Sequence, residues 1–260
     1  MSTIHHNKCP ICESSQIETI RSIKDHSHTL EDFPIVKCNE CDFHFTQDIP
    51  DPKSIAPYYK SDNYVSHSDT QKGLFFKAYH YVRSYMLNKK KNLVQNVTSK
   101  KKGNLLDIGT GTGYFPNKMI NSGWSAEGIE QDPETRKYAA EKFNFKVHNT
   151  PELYNLSPNS FDAVTMWHVI EHVHDLNDCV KKIHNILKKD GKLIVAVPNH
   201  KSFDANYYAS FWAAWDIPIH LWHFHPESMK KLMEKHQFKI EKIIPMPLDA
   251  AYVSMLSEQY

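Results

Sequence analysis

The chain has almost no net charge. Its 31 lysines and arginines stand against 30 aspartates and glutamates, a formal +1 with 17 histidines taken as neutral. That balance gives no broad positive field for nucleic acid. Local patches such as Lys89–Lys91 and Lys100–Lys102 read as solvated helix ends. No apolar run is long enough to span a bilayer, which argues against a membrane-embedded chain. The opening residues, MSTIHHNKCP, lack the apolar stretch of a signal peptide, so the expectation is a cytoplasmic protein. What is present is ordinary for a globular protein, 40% hydrophobic and 23% charged over 260 residues. That length suits one large domain, or one domain with a small module.

Cysteine is scarce but patterned. Four of the five fall in two Cys-x-x-Cys knuckles, Cys9–Cys12 and Cys38–Cys41, and Cys179 stands apart as expected core. Two such turns facing each other make a closed tetrahedral thiolate site, which suits structural zinc and leaves no open position for hydrolysis. A redox pair is the alternative. The gap of about 25 residues carries QIETIRSI and FPIVKC, which read as ribbon strands. A module this small gains folding energy from the metal. Residues 51–72 read as a connector. GLFFKAYHYVRSYMLNKKKNLVQNV then predicts one long helix over about 73–98, with apolar residues at helical spacing, and Tyr79, Tyr81 and Tyr85 are candidates to line a pocket.

The stretch GNLLDIGTGTGYF carries the most information. An apolar run ends in Asp107, then Gly109, Gly111 and Gly113 alternate, then a helical pattern begins. Strand, glycine turn and helix open a doubly wound α/β sheet. A nicotinamide turn would place its third glycine one residue later. A second strand, Ala126–Ile129, ends in Glu130, about 20 residues on, where an acid can accept from ribose hydroxyls. Helix 133–143, strand 145–150, strand 160–167, helix 175–190 and strand 190–200 continue the alternation.

LDIGTGTG followed by GIEQD resembles the first two motifs of the class I S-adenosylmethionine-dependent methyltransferases. The resemblance implies a Rossmann-like doubly wound sheet with a small N-terminal zinc ribbon. It also implies a glycine turn beside the cofactor's methionine and ribose, with Asp107 bearing on the ammonium, Glu130 and its neighbour Gln131 at the ribose, and Asn149 and Thr150 near the adenine. A different nucleotide fold or a degenerate, non-binding domain is the alternative.

His168-Val169-Ile170-Glu171-His172 spells H-x-x-E-H, a string that in one class of zinc protease sits on a single helix. Here it follows the fourth strand directly. Ligands of open α/β sheets bind beyond the strands' carboxyl ends, so Trp167 and His168 should face the cofactor and acceptor. FDAVTMWHVIEHVHD resembles the matching segment of ubiquinone O-methyltransferase-type enzymes. Some of those hold a divalent metal with Glu-x-x-Glu-His; this sequence keeps Glu171 and His172 but has His168 in the first position. A histidine suits proton removal from an acceptor near neutral pH.

After the fifth strand, about 25 residues rich in Trp, Tyr, Phe and His form an expected acceptor-binding cap at about 200–225. WDIPIHLWHFHPESM resembles zinc-ribbon methyltransferases encoded among sugar and secondary-metabolite enzymes, which makes His220 and His223 further base candidates. His225 reads as a helix boundary, FKIEKIIPM as a late strand, and the last ten residues as strand or helix. The expected organisation is a zinc ribbon (1–50), a connector and long helix (51–100) and a methyltransferase domain (101–260). The expected activity is O-methylation of a small hydroxylated or sugar-like acceptor. C-methylation of a nucleotide-linked deoxysugar is the first alternative. An RNA-binding or RNA-modifying protein is the second, and the weakly charged ribbon argues against it.

Overall fold

A computed structural model describes residues 2–26, 29–59 and 74–260, with side chains of the long helix described from residue 80. The expected connector lies largely outside these residues, as does the side chain of Tyr79. The strands of the first fifty residues are Thr3–Ile4 (β1), Ile17–Lys24 (β2), Asp32–Cys38 (β3), His44–Thr46 (β4) and Ile49–Pro50 (β5). The long helix is Leu74–Thr98 (α1). Then come Asn104–Ile108 (β6), Tyr114–Ile120 (α2), Ser125–Ile129 (β7), Pro133–Phe143 (α3) and Val147–His148 (β8). Phe161–Trp167 (β9), Leu176–Ile186 (α4) and Leu187–Ala196 (β10) follow. The chain closes with Phe203–Tyr208 (α5), Trp222–His223 (β11), Pro226–Lys235 (α6) and Pro247–Ser257 (α7). No helix among the described residues is long and apolar enough to cross a membrane.

The chain packs as two compact units. One comprises Met1–Tyr64, Ile170–Lys181 and Val197–Tyr260; the other comprises Val65–Val169 and Lys182–Ala196.

The second unit holds a five-stranded parallel sheet in the order β10-β9-β6-β7-β8. Its two central strands, β9 and β6, are buried along nearly their whole length, as a parallel sheet covered on both faces requires. Phe115 and Met119 of α2 and Val94 of α1 pack with Leu105, Trp124, Ala126 and Ala163 into one apolar core. Asp132 caps α3 by accepting from the Thr135 amide at 2.7 Å, and Pro133 supplies the fixed φ of its first turn. Chain order reverses between β6 and β9, where Asp107 lies in register with Thr165 and Ile108 with Met166. This is the switch point where doubly wound sheets bind ligands.

The first unit holds a four-stranded antiparallel sheet, β11-β4-β3-β2, and the small β1-β5 pair. The insert expected as a cap contributes β11 to this sheet, with Trp222 opposite Phe45 and His223 opposite His44. Phe43 packs its ring 5.4 Å from Phe224 and 6.2 Å from Trp222, so knuckle and insert share one core.

At the C-terminal end one expectation changes and an open one is resolved. FKIEKIIPM is not a strand: residues 238–246 are irregular, and Ile243 is 65% exposed. No described strand offers it a ladder, and an unpaired strand is not stable. The last ten residues fall largely in α7.

Candidate functional site

The glycine turn follows β6 directly. The amides of Gly109 and Thr110 both donate to the Ile129 carbonyl, at 2.8 and 2.9 Å, which anchors the turn to the end of β7. Gly109 has φ +70°, and a Cβ there would lie 2.3 Å from Val169 Cγ2. Gly111 also has positive φ, but a Cβ there would meet no atom within 4 Å. One glycine is therefore required by packing. The other opens the turn to whatever approaches its backbone.

Glu130, at the end of β7, ties the mouth of the turn together. One carboxylate oxygen accepts from the Gly111 amide at 2.8 Å and the other from the Asp132 amide at 2.9 Å. Each oxygen keeps further acceptor capacity for a hydroxyl. Gln131 is exposed beside it, and its carbonyl accepts from Arg136 at 3.1 Å. Asp107 is buried and accepts from Thr165 Oγ1 at 2.6 Å. Burial pushes its carboxyl up to about 6, against the opposing pull of the Thr165 hydroxyl and Lys90. Thr165 was not visible as a site residue in the sequence; only the parallel register reveals it.

Trp167 ends β9 with its ring edge-on to Phe115 at 5.7 Å and Lys90 Nζ 4.4 Å from its centroid. His168 follows at φ +56°, exposed, its amide donating to the Ala196 carbonyl at 3.0 Å. Asn149 caps the short 3-10 turn Thr150–Asn155 by accepting from the Glu152 amide, while Thr150 is exposed. Asp107, the three glycines, Glu130, Gln131, Asn149, Thr150, Trp167 and His168 therefore all belong to the sheet-bearing unit. The helix-borne H-x-x-E-H site of a protease is absent, because only Ile170–His172 forms a single 3-10 turn there.

The remaining expected residues belong to the other unit. Cys9, Cys12, Cys38 and Cys41 offer four Sγ atoms within 4.8 Å of one another, with Cys9–Cys41 at 3.4 Å and Cys12–Cys38 at 3.5 Å. A zinc tetrathiolate with bonds near 2.3 Å sets its sulfurs about 3.8 Å apart, so the cluster is close to the shape of that shell. The Cys41 thiol beside Cys9 holds Cys9 down near 5, while Cys41 itself is pushed up.

His223 is buried, with Nε2 2.9 Å from Thr46 Oγ1, and burial drives its pKa well below the usual histidine value. His220 Nδ1 lies 2.9 Å from the Ala214 carbonyl, and its ring meets His172 edge-on at 4.6 Å. Burial pushes His172 down to about 4. Tyr81 and Tyr85, candidates for a pocket, are 76% and 44% exposed.

The fold of the sheet-bearing unit is the α/β Rossmann-like fold of the methyltransferases. A solved S-adenosylmethionine-dependent methyltransferase from Archaeoglobus fulgidus covers 72% of this chain and 91% of its own at TM-score 0.50 and 18% identity. A Haemonchus contortus phosphoethanolamine N-methyltransferase, solved with S-adenosyl-L-methionine, covers 66% of this chain and 41% of its own at the same TM-score and identity. The family model described as "Methyltransferase domain" matches residues 79–243, and the chain belongs to that family. An uncharacterized methyltransferase of Bacillus cereus is 32% identical over 109 residues, 40% of this chain and 51% of its own. A counterpart in Bacillus thuringiensis is 31% identical over the same span. The chain spans about half the length of the curated relatives it matches.

Proposed function

We propose that the protein is an S-adenosylmethionine-dependent methyltransferase acting on a small hydroxylated or sugar-like acceptor, with methyl transfer to oxygen, and that its four paired cysteines hold a structural zinc. The observation that carries the reading is the turn at Gly111: an open backbone position whose amide is bonded to a strand-end glutamate. Glu130 accepts from the ribose hydroxyls while it holds the turn in shape. Asp107 meets the ammonium group; a cation there lowers the penalty that burial imposes on its carboxylate. Gln131, Asn149 and Thr150 border the rest of the nucleoside, and Trp167 walls the cofactor's sulfonium end.

The cofactor supplies a methyl group already activated on sulfur, so the protein aligns, excludes water and removes one proton. His168 is the base that fits this role best. It directly follows β9 at the switch point, in the same unit as Asp107 and Glu130, and is exposed. His223 fits a structural role instead, since its Nε2 is engaged by Thr46 and burial weakens it as a base. The four thiolates form a closed shell that stitches the knuckles together, and near-neutral charge is poor support for RNA as partner.

Calorimetry with S-adenosylmethionine and its demethylated product tests the reading. Wild type should bind both. Glu130→Ala should bind about 10- to 100-fold more weakly, the loss of hydrogen bonds to a charged acceptor. Absence of heat with wild type overturns the proposal. Product analysis on a panel of phenols and keto-sugars then separates transfer to oxygen from transfer to carbon.

A further inference from the structure

The unit that carries the cysteines holds a second group of metal-type donors, unrelated to the thiolates. Glu171, His172 and His220 each place one donor atom within 4.8 Å of the others. Glu171 and His172 are adjacent in a 3-10 turn; His220 comes from the Trp-rich segment, 48 residues later in the chain. The two segments are joined by backbone bonds. The Leu221 amide donates to the Glu171 carbonyl at 2.8 Å, and the Trp222 indole donates to the Val173 carbonyl at 2.6 Å. Thr46 Oγ1 donates to the His220 carbonyl at 2.8 Å.

Both imidazoles are held in one tautomer. His172 Nδ1 lies 3.0 Å from the Ile219 carbonyl and His220 Nδ1 lies 2.9 Å from the Ala214 carbonyl. A carbonyl only accepts, so each Nδ1 carries the proton and each ring keeps its basic lone pair on Nε2. An imidazole whose Nδ1–H is anchored on a backbone carbonyl, with Nε2 turned to an ion, is the usual arrangement of a metal-bound histidine. Glu171 completes the set as a carboxylate with no exposed surface. Its carboxylate gives a divalent ion the formal negative charge that two imidazoles do not. Asp216 Oδ2 lies 3.8 Å from His220 Nε2, a further carboxylate at the edge of the cluster.

We propose that Glu171, His172 and His220 bind a divalent first-row transition ion of the zinc, cobalt or nickel type. Two nitrogens and one carboxylate favour such an ion over magnesium or calcium, which take oxygen shells. The first position of the H-x-x-E-H string has no part in it; the third donor comes from the distant His220. Bound there, the ion would pin residues 170–172 to the Trp-rich segment.

Cobalt(II) substitution of the full-length chain tests this, because the two kinds of site have different colours. The thiolate cluster should give intense sulfur-to-metal charge transfer. The Glu-His-His site should add weaker d–d bands with no charge transfer, as a second equivalent of metal. Glu171→Gln and His220→Gln should each lower bound metal from two ions to one per chain and remove only the second set of bands. The thiolate band surviving in the same sample shows that the unit is still folded, and circular dichroism checks this independently. Imidazole added to His220→Ala should restore the second equivalent. A wild type that takes up cobalt only in the thiolate band, or folded variants that keep the second equivalent, overturns the proposal.

Discussion

Substituting alanine at two neighbouring glycines separates packing from ligand access. At Gly109, alanine must adopt φ +70° with its Cβ 2.3 Å from Val169 Cγ2 and 3.2 Å from Cγ1. Left-handed backbone costs a non-glycine residue about 1 kcal/mol or somewhat more. The clash adds about 1–3 kcal/mol, because the Cβ of Val169 also lies at 3.3 Å and a β-branched side chain has little freedom at χ1 to turn away. Gly109→Ala should therefore lose about 2–4 kcal/mol of stability. At Gly111 the backbone is also left-handed, at φ +53°, but nothing lies within 4 Å of the added methyl. Gly111→Ala should lose only about 1 kcal/mol, the backbone term alone. Its methyl nevertheless stands where a nucleoside would approach the turn, so affinity for the demethylated cofactor should fall about tenfold or more, a loss of at least ~1.4 kcal/mol. Urea denaturation of both variants, followed by calorimetry on the folded protein, reads both quantities. Equal urea midpoints would refute the packing argument. Unchanged affinity in Gly111→Ala would refute the placement of the ligand.

Other residues give independent tests. Asp107 has its pKa raised by burial to about 6, so the folded state holds a proton that the unfolded state has lost, and stability should fall as pH rises from about 4 to 6. Asp107→Asn should flatten that slope in urea titrations, stabilise the ligand-free protein at pH 7 by at most about 3 kcal/mol, and weaken cofactor binding. Asp162 is buried and accepts from the Asn104 amide at 2.8 Å and from Lys188 at 2.7 Å, with Lys100 beside it, and its pKa is lowered to about 2. Its contribution should be complete above about pH 4 and disappear as pH falls through 2; Asp162→Ala should destabilise by about 2 kcal/mol at pH 7, checked by urea midpoint. Chelation of zinc should make Cys9, Cys12, Cys38 and Cys41 reactive toward thiol reagents and destabilise their unit by an amount on the order of 10 kcal/mol, visible as loss of near-ultraviolet dichroism from Trp222 and its neighbours. Unchanged thermal melting after complete metal removal would count against a structural zinc.

The parts of this molecule that were legible in the sequence are those written in local chemistry. The alternation of apolar run, glycine turn and helix specified β6, α2 and β7, because each element's periodicity and punctuation lie within a few residues. Helix α3 was legible to the residue, since Asp132, Pro133 and Asn144 mark its ends. What escaped was long-range pairing. Trp222 and His223 join a sheet whose other strands lie in the first fifty residues, and Thr46 meets His223 across 177 positions. Nothing in a Trp-rich stretch announces which strand it will pair with. Thr165 shows the same limit on a smaller scale: it bonds Asp107 only because parallel register sets it opposite. The apolar pattern of residues 238–246 failed in the opposite direction, since periodicity permits a strand but only a partner makes one.

The H-x-x-E-H string shows how much a short motif depends on its backbone. On a helix, its first and last histidines would be four residues apart on one face. Here His168 takes a positive φ as β9 ends, and that one backbone setting prevents a continuous helix from running through the string. On the readings proposed for them, the letters are then divided between two roles. His168 stays at the strand end, where parallel sheets do their chemistry, and Glu171 and His172 turn toward His220. A substitution that restored right-handed geometry at position 168 would not create a protease, because the Glu171 carbonyl is already committed to the Leu221 amide. It would instead move the imidazole from its place at the strand end. His168→Ala should therefore abolish methyl transfer while leaving cofactor affinity and cobalt uptake at Glu171, His172 and His220 unchanged. Loss of cobalt from that variant would show that the string acts as one ligand set after all.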